Sequence, residues 1–187
     1  RTDFKWNDII GLAGLSYITF KTAALYIDST QDGNRVKVWQ LFTFQAFTPT
    51  LLVGPIDRFE RFQNDLNNGY SQLNSQRFFE GFQQIIIGIF YSYVCAEIVM
   101  RYWLNEFDSD STNIADMAAN MYGYLIYLFF DFAGYSAMAI GFGKMIGIDV
   151  PINFDKPFLS RNPQEFWRRF HKSLGDWLGD YFFKPMF

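Results

Sequence analysis

The pattern of hydrophobic and polar positions divides the chain into four apolar stretches, at about residues 9–27, 36–53, 78–103 and 114–148. A helix that crosses a bilayer needs roughly 20 mostly apolar residues. The third and fourth stretches meet this requirement. The first contains Lys21 and the second contains glutamines and a proline, so these two would span a membrane only with their polar groups facing protein or water. The pattern predicts an all-α fold, a polytopic membrane helical bundle.

The charges in the connections between the stretches support this prediction. The connection at 57–77 and the tail after Gly143 are rich in Lys and Arg, whereas the connection at 105–113 is acidic and has neither. Basic connections of membrane proteins lie on the cytoplasmic side. We therefore expect a multi-pass protein with 57–77 and the C-terminal tail in the cytoplasm and 105–113 outside.

The last part of the chain has the pattern of an amphipathic helix, predicted over 163–183. Asn162 is a favoured N-cap residue, Pro163 suits the first helical position and Glu165 suits a capping box. Apolar residues then recur at helical spacing, opposite a charged side. The pattern predicts an interfacial helix, or one that lines a polar cavity, with His171 at the edge of its aromatic face.

Composition narrows the class of protein. Aromatic residues make up 21% of the chain, a high share that is typical of membrane proteins, and the net charge of −3 gives no basic face for nucleic acid. A single cysteine and a single histidine argue against an internal disulfide and against a metal site. The chain begins at Arg1 without a Met or signal peptide, and we interpret it as an internal fragment of a larger protein.

Two side chains are candidates for chemistry. Asp131 is the single charged residue between Tyr124 and Gly143, and a carboxylate in a membrane-length segment is a functional candidate because its burial is costly. His171 has the side chain best suited to proton transfer near neutral pH. The pattern alone leaves open that Asp131 is hydrogen-bonded between helices and that His171 is structural. It indicates a polytopic membrane protein with a protonatable interior.

Four segments resemble the DltB-type members of the membrane-bound O-acyltransferase (MBOAT) family. They are GLSYITFK (14–21), GPIDRFERF (54–62), FFDFAGYSAMAIGFGKMIGI (129–148) and NFDKPFLSRNPQEFWRRFHKSL (153–174). The resemblance covers most of the chain in consistent order. It implies that residues 1–187 are a partial MBOAT transmembrane domain, with about four membrane-associated stretches and the C-terminal amphipathic helix.

The resemblance also implies an activity. Such proteins move a D-alanyl group from the phosphopantetheine thioester of a D-alanyl carrier protein to a hydroxyl of an envelope polymer, teichoic acid, at the bacterial plasma membrane, with no bound cofactor. His171 would be catalytic and would orient or deprotonate the acceptor hydroxyl. A second family histidine would lie beyond this chain, so the fragment is expected to be inactive alone.

The remaining site assignments are expectations of the same kind. Asp131, Trp167 and Asn162 are expected to line or support a polar tunnel. Arg58 and Arg61 are expected to contact the acidic carrier protein, and ordinary positive-inside residues are the alternative reading of both.

Three alternatives to this function stay open. Gly179 stands where relatives more often have an arginine, which leaves an alginate-type polysaccharide O-acetyltransferase possible. A proton-coupled transporter would use Asp131 as its relay. A non-catalytic scaffold would need His171 for stability alone.

Overall fold

The computed structural model describes residues 6–32, 36–51, 54–105 and 113–186. Within these residues the chain forms eight α-helices and no β-strand, only an isolated antiparallel bridge, which confirms the all-α prediction. The helices are α1 (Trp6–Asp32), α2 (Val38–Gln45), α3 (Phe59–Asn68), α4 (Ser75–Phe90), α5 (Ala96–Val99), α6 (Ile114–Ile146), α7 (Pro163–Arg169) and α8 (Lys172–Leu178).

Two long helices are apolar enough to cross a membrane. Helices α4 and α5, joined by the π-helical turn Tyr91–Cys95 and followed by a second at Met100–Leu104, form one continuous helix, Ser75–Leu104. This helix and α6 have 30 and 33 residues and a mean hydropathy of 1.5 each in their most apolar windows. At about 1.5 Å per residue, both exceed the roughly 30 Å of a hydrocarbon core. They correspond to the third and fourth apolar stretches.

The two long helices pack as an antiparallel pair at glycine contacts. A Cβ added to Gly88 would lie 2.6 Å from the carbonyl oxygen of Gly134, and one added to Gly81 would lie 2.7 Å from that of Gly141. Only residues without a side chain allow backbones this close, as in other membrane helix pairs. A stripe of small residues, spaced four positions apart on α6, is buried and lets neighbouring segments pack closely. Its members are Ala133, Ala137 and Gly141.

The basic connection and the segment after α6 meet at one end of this pair. Gly147 ends α6 with a left-handed φ of 87°, and a Cβ added to Gly69 would lie 2.0 Å from its carbonyl oxygen. Arg77 donates to Asp149 at 2.8 Å. The connection at 57–77 thus meets residues 147–149, the start of the tail, at this end of the pair. The cytoplasmic side that the charge pattern indicates for both stays a prediction.

The first two apolar stretches form helices of unequal length. The first is α1, with 27 residues. The second forms only α2, whose eight residues are too short to span a bilayer, and it ends before a 3₁₀ turn that contains Pro49. Around α2 and α3 the core is aromatic, with Phe44 and Phe62 packed against Ile148 and Val150 at the end of α6.

The prediction of one helix over 163–183 is wrong. Its start is confirmed, since the Asn162 side chain accepts the Glu165 amide at 2.8 Å. The helix stops at Arg169, however, and α8 begins at Lys172. The backbone between them pairs with residues 153–155. Asp155 N donates to Arg169 O at 3.0 Å, and Lys172 N donates to Asn153 O at 2.7 Å. These bonds to a distant segment replace helical ones at the break.

Candidate functional site

His171 lies at the break between α7 and α8. Its backbone is left-handed, with φ 55° and ψ 49°, a region uncommon for residues with a side chain. The preceding Phe170 is extended and bridges to Phe154. Backbone strain of this kind persists only where the surrounding structure enforces it. The break turns the His171 side chain away from the direction that a continuous helix would give it.

The imidazole of His171 is enclosed by two aromatic side chains. Nε2 lies 3.1 Å from the Tyr17 hydroxyl, and the Phe132 ring packs edge-on with its centroid 4.8 Å from that of the imidazole. In the described part of the chain, Nδ1 is buried and has no hydrogen-bond partner. Burial lowers the pKa of His171 to about 4, with a smaller opposing contribution from its own backbone carbonyl. The ring is therefore neutral at pH 7.

The imidazole is level with the middle of a helix long enough to span a membrane. Its neighbour Phe132 lies within α6, well away from both Ile114 and Ile146. At about 1.5 Å per residue, each end of α6 is more than roughly 20 Å away along the helix. Irregular backbone at such depth is tolerated only where protein buries it or where it lines a water-filled cavity.

The segment around His171 is fixed by a buried polar chain. The Ile56 amide donates to the Ser173 hydroxyl at 3.0 Å, and that hydroxyl donates to the side-chain oxygen of Asn153. Asn153 is fully buried and Ser173 is 4% exposed. This chain joins the GPIDR segment and the loop after α6 directly to the first turn of α8. It fixes the position of the α8 side of the break.

Helix α1 runs beside the segment that carries His171. Three side-chain hydrogen bonds join the two segments, and the residue numbers of both segments increase in the same order along these bonds. They are Tyr17 with His171 at 3.1 Å, Trp177 with Phe20 O at 3.0 Å and Tyr181 with Asp28 at 2.7 Å. The first apolar stretch therefore supplies one wall of the site.

Two buried charges lie in the GLSYITFK and GPIDR segments. Lys21 is 1% exposed and donates to Phe44 O at 3.1 Å and to the Thr50 hydroxyl at 2.9 Å. Asp57 is also 1% exposed and accepts from Arg61 Nε at 3.0 Å. Burial raises the pKa of Asp57, and Arg61 opposes this shift, as Lys21 does more weakly. These charges tie α1, α2 and α3 together beneath the site.

Arg58 and Arg61 both have acidic partners within the chain. Arg58 pairs with Asp180 and its guanidinium lies 4.5 Å above the Tyr181 ring, while Arg61 pairs with Asp57. Contact with a carrier protein stays a prediction for both residues. Each arginine already forms an ion pair within the chain, and their side chains are 28% and 41% exposed, respectively.

A wide cleft opens beside the break, with a volume of about 1430 Å³. Asn162 and Trp167 line it, as do Arg161 and Arg168. His171 is not among the lining residues, whereas Arg169 and Ser173 on either side of the break are. Trp167 is 67% exposed. Among the described residues, the guanidinium groups of Arg161 and Arg168 have no carboxylate partner. The cleft wall is therefore basic.

Asp131 lies apart from His171. Its side chain is exposed and accepts from the Ser92 hydroxyl at 3.1 Å, across the two long helices. It precedes Phe132, and successive residues of a helix point about 100° apart. The hydrogen bond between helices is confirmed, and a role for Asp131 in the polar tunnel stays a prediction.

Comparison with known proteins identifies the family. The family model described as MBOAT, membrane-bound O-acyltransferase, matches residues 12–187. The chain belongs to this family. Similar proteins include a teichoic acid D-alanyltransferase of Bacillus subtilis, 36% identical over 182 residues, and one of Streptococcus thermophilus, 36% identical over 188. A probable alginate O-acetylase AlgI of Pseudomonas aeruginosa is 32% identical over 173 residues.

This chain spans less than half the length of these MBOAT relatives. The matches cover 95%, 95% and 91% of it, but 46%, 44% and 33% of the relatives in the same order. Membership in a membrane-bound family, with two helices able to span a bilayer, places the protein at a membrane. The resemblance of the four segments to MBOAT proteins is thus confirmed.

Several residues of this MBOAT site escaped sequence reasoning. Tyr17, Asn153 and Ser173 hold or touch the His171 segment, yet none stands out by charge or spacing. Lys21 could have been recognised from the sequence, because it places a charge inside the first apolar stretch. Tyr17 and Ser173 become visible only once residues more than 100 positions apart along the chain are brought together, and Asn153 once residues 20 positions apart are.

Proposed function

We propose that the full-length protein is a multi-pass O-acyltransferase of the bacterial plasma membrane. It transfers a D-alanyl group from the phosphopantetheine thioester of a carrier protein to a hydroxyl of teichoic acid. The observation that carries the proposal is His171, a neutral imidazole with an unpartnered nitrogen, level with the middle of α6 and at a break whose flanking residues line a wide cleft.

The reaction needs little from the protein beyond positioning and proton handling. The acceptor oxygen forms a bond to the acyl carbon, the carbon–sulfur bond breaks, and the hydroxyl proton ends on the released thiol. A neutral imidazole at the reacting atoms orients or deprotonates the hydroxyl, or stabilises charge on the acyl oxygen. Asn162 and Trp167, on the cleft wall, support the approach of the substrates to His171.

The arrangement in the membrane follows from the helices and their charges. Ser75–Leu104 and α6 cross the bilayer, and further helices of the full-length protein complete a polytopic bundle. Large apolar side chains exposed on the first of these, such as Phe82, Ile86 and Phe90, suit contact with lipid or with those helices. The basic end of the pair lies in the cytoplasm, the side from which the carrier protein would approach.

The donor and acceptor are proposed from the relatives together with the basic cleft. The relatives at 36% identity bear the name teichoic acid D-alanyltransferase, and those at 32–33% bear the name alginate O-acetylase. Arg161 and Arg168, with the outward part of Arg58 and Arg61, give the cleft a positive wall suited to an acidic carrier protein. Polysaccharide O-acetylation is the second candidate.

A comparison of donors tests the proposal. Full-length protein in proteoliposomes is supplied with teichoic acid and either D-alanyl carrier protein or an acetyl donor, and ester formation is measured. We expect D-alanyl transfer that weakens with added salt, because a basic cleft attracts the carrier through screened charges.

Two other outcomes would contradict the proposal in different ways. Transfer from the acetyl donor alone would keep the acyltransferase and replace the substrate. Transfer from neither donor, with solute uptake driven by a proton gradient, would favour a transporter instead.

A further inference from the structure

The hydroxyl of Tyr17 is the polar partner of the His171 imidazole in the described part of the chain. The two residues are 154 positions apart, and Tyr17 is only 8% exposed. The phenol and imidazole rings are inclined by 16° with centroids 6.2 Å apart, so the hydroxyl meets the edge of the imidazole, where Nε2 lies. The contact is a directed hydrogen bond between α1 and the break.

Chemistry fixes the direction of this hydrogen bond. A phenol O–H is a stronger acid than a neutral imidazole N–H, and an imidazole nitrogen is a stronger base than a phenol oxygen. Tyr17 therefore donates and Nε2 accepts. A neutral imidazole carries one proton, so that of His171 lies on Nδ1. The hydrogen bond that Nε2 accepts from Tyr17 thus places the proton of the imidazole on Nδ1.

The imidazole lies near the carbonyl of its own residue, and its protonated nitrogen forms no hydrogen bond in the described part of the chain. Nδ1 is buried and has no partner among the described residues, and the Phe132 ring packs against the imidazole and limits its rotation. A buried N–H without an acceptor is unfavourable, and it is satisfied when a substrate oxygen binds there.

We infer that Tyr17 is a positioning residue that holds His171 in the Nδ1–H tautomer, so that Nδ1–H donates to the oxygen of the reacting acyl group. The inference rests on the proposed function. In the transfer, the acceptor oxygen bonds to the acyl carbon and charge develops on the acyl oxygen, which Nδ1–H stabilises. The hydroxyl proton passes to a Brønsted base from the rest of the full-length protein, and then to the leaving thiolate.

The test reads the tautomer directly. The full-length protein is labelled with ¹⁵N-histidine, and the His171 signals are assigned by their loss in His171→Asn. We expect a protonated Nδ1 and an unprotonated Nε2 in the wild type. Tyr17→Phe keeps the ring and removes the donor, so the tautomer should move toward Nε2–H. In the transfer assay, kcat should fall about 10- to 100-fold with little change in KM.

Tyr181→Phe is the matched control. It removes another phenol hydrogen bond between α1 and the same segment, at Asp28, and it should leave both the tautomer and kcat unchanged. A Nε2–H tautomer in the wild type would overturn the inference. This measurement does not depend on the folding of any variant. A Tyr17→Phe protein with the wild-type tautomer and kcat would overturn it equally.

The tautomer measurement is independent of the proposed function. It is made without donor or acceptor, so a wild-type protein that transfers no acyl group would refute the function and leave the tautomer result readable. Active wild-type protein with the wrong tautomer would refute the inference alone.

Discussion

His171→Ala in the full-length protein should lower the rate of acyl transfer by roughly 10²- to 10⁴-fold, the usual loss when a positioned proton-transfer or hydrogen-bonding group is removed. The break holds the imidazole in place. Among the described side chains that contact it, no other offers a nitrogen without a hydrogen-bond partner, as His171 Nδ1 does. The measurement is the initial rate of D-alanyl transfer in proteoliposomes, at equal amounts of correctly folded protein.

His171→Asn separates chemistry from folding. Asparagine tolerates the left-handed backbone of this position, so the variant should insert and fold like the wild type. Its amide also donates a hydrogen bond, and the loss of rate should be smaller than with alanine. Wild-type activity in His171→Ala would remove His171 from the reaction, whatever the asparagine variant does.

Asp57→Asn should cost about 1–3 kcal/mol of stability, because it removes the buried negative charge that Arg61 pairs with and that acts more weakly on Lys21. It leaves the Lys21 ammonium buried at 1% exposure, with the Phe44 carbonyl and the Thr50 hydroxyl as its hydrogen-bond acceptors among the described residues. Purified full-length protein in detergent should show a clearly lower thermal midpoint and a lower yield of folded protein.

The double variant Lys21→Met with Asp57→Asn tests whether the charges act together. Removing both should recover about 1–3 kcal/mol relative to the sum of the single variants. Asp176→Asn is the surface control, since Asp176 pairs with Lys172 at 56% exposure and should contribute less than about 1 kcal/mol. Additive losses in the double variant would show that Lys21 does not depend on Asp57.

Local pattern was sufficient to predict the two long helices, which hydropathy marked. The orientation that the charges of their connections indicate stays a prediction. The cap at Asn162 was also read correctly, because it depends on residues a few positions apart.

The break at His171 could not be predicted in the same way. Residues 163–183 have good helical periodicity, yet bonds from Asn153 and Asp155 interrupt the helix at Phe170 and His171. The contact of Tyr17 with His171 and that of Ile56 with Ser173 likewise join residues more than 100 positions apart. The hydrophobic periodicity of the sequence does not indicate contacts between residues so far apart along the chain. The catalytic assignment of His171 came from family resemblance, and only its surroundings came from the fold.

The most direct test is an experimental structure of the full-length protein with a non-transferable analogue of the D-alanyl phosphopantetheine thioester. We expect the acyl oxygen to lie within hydrogen-bond distance, about 3 Å, of His171 Nδ1, with the Tyr17 hydroxyl still bonded to Nε2. An acyl group bound away from His171, for example beside Asp131, would contradict it.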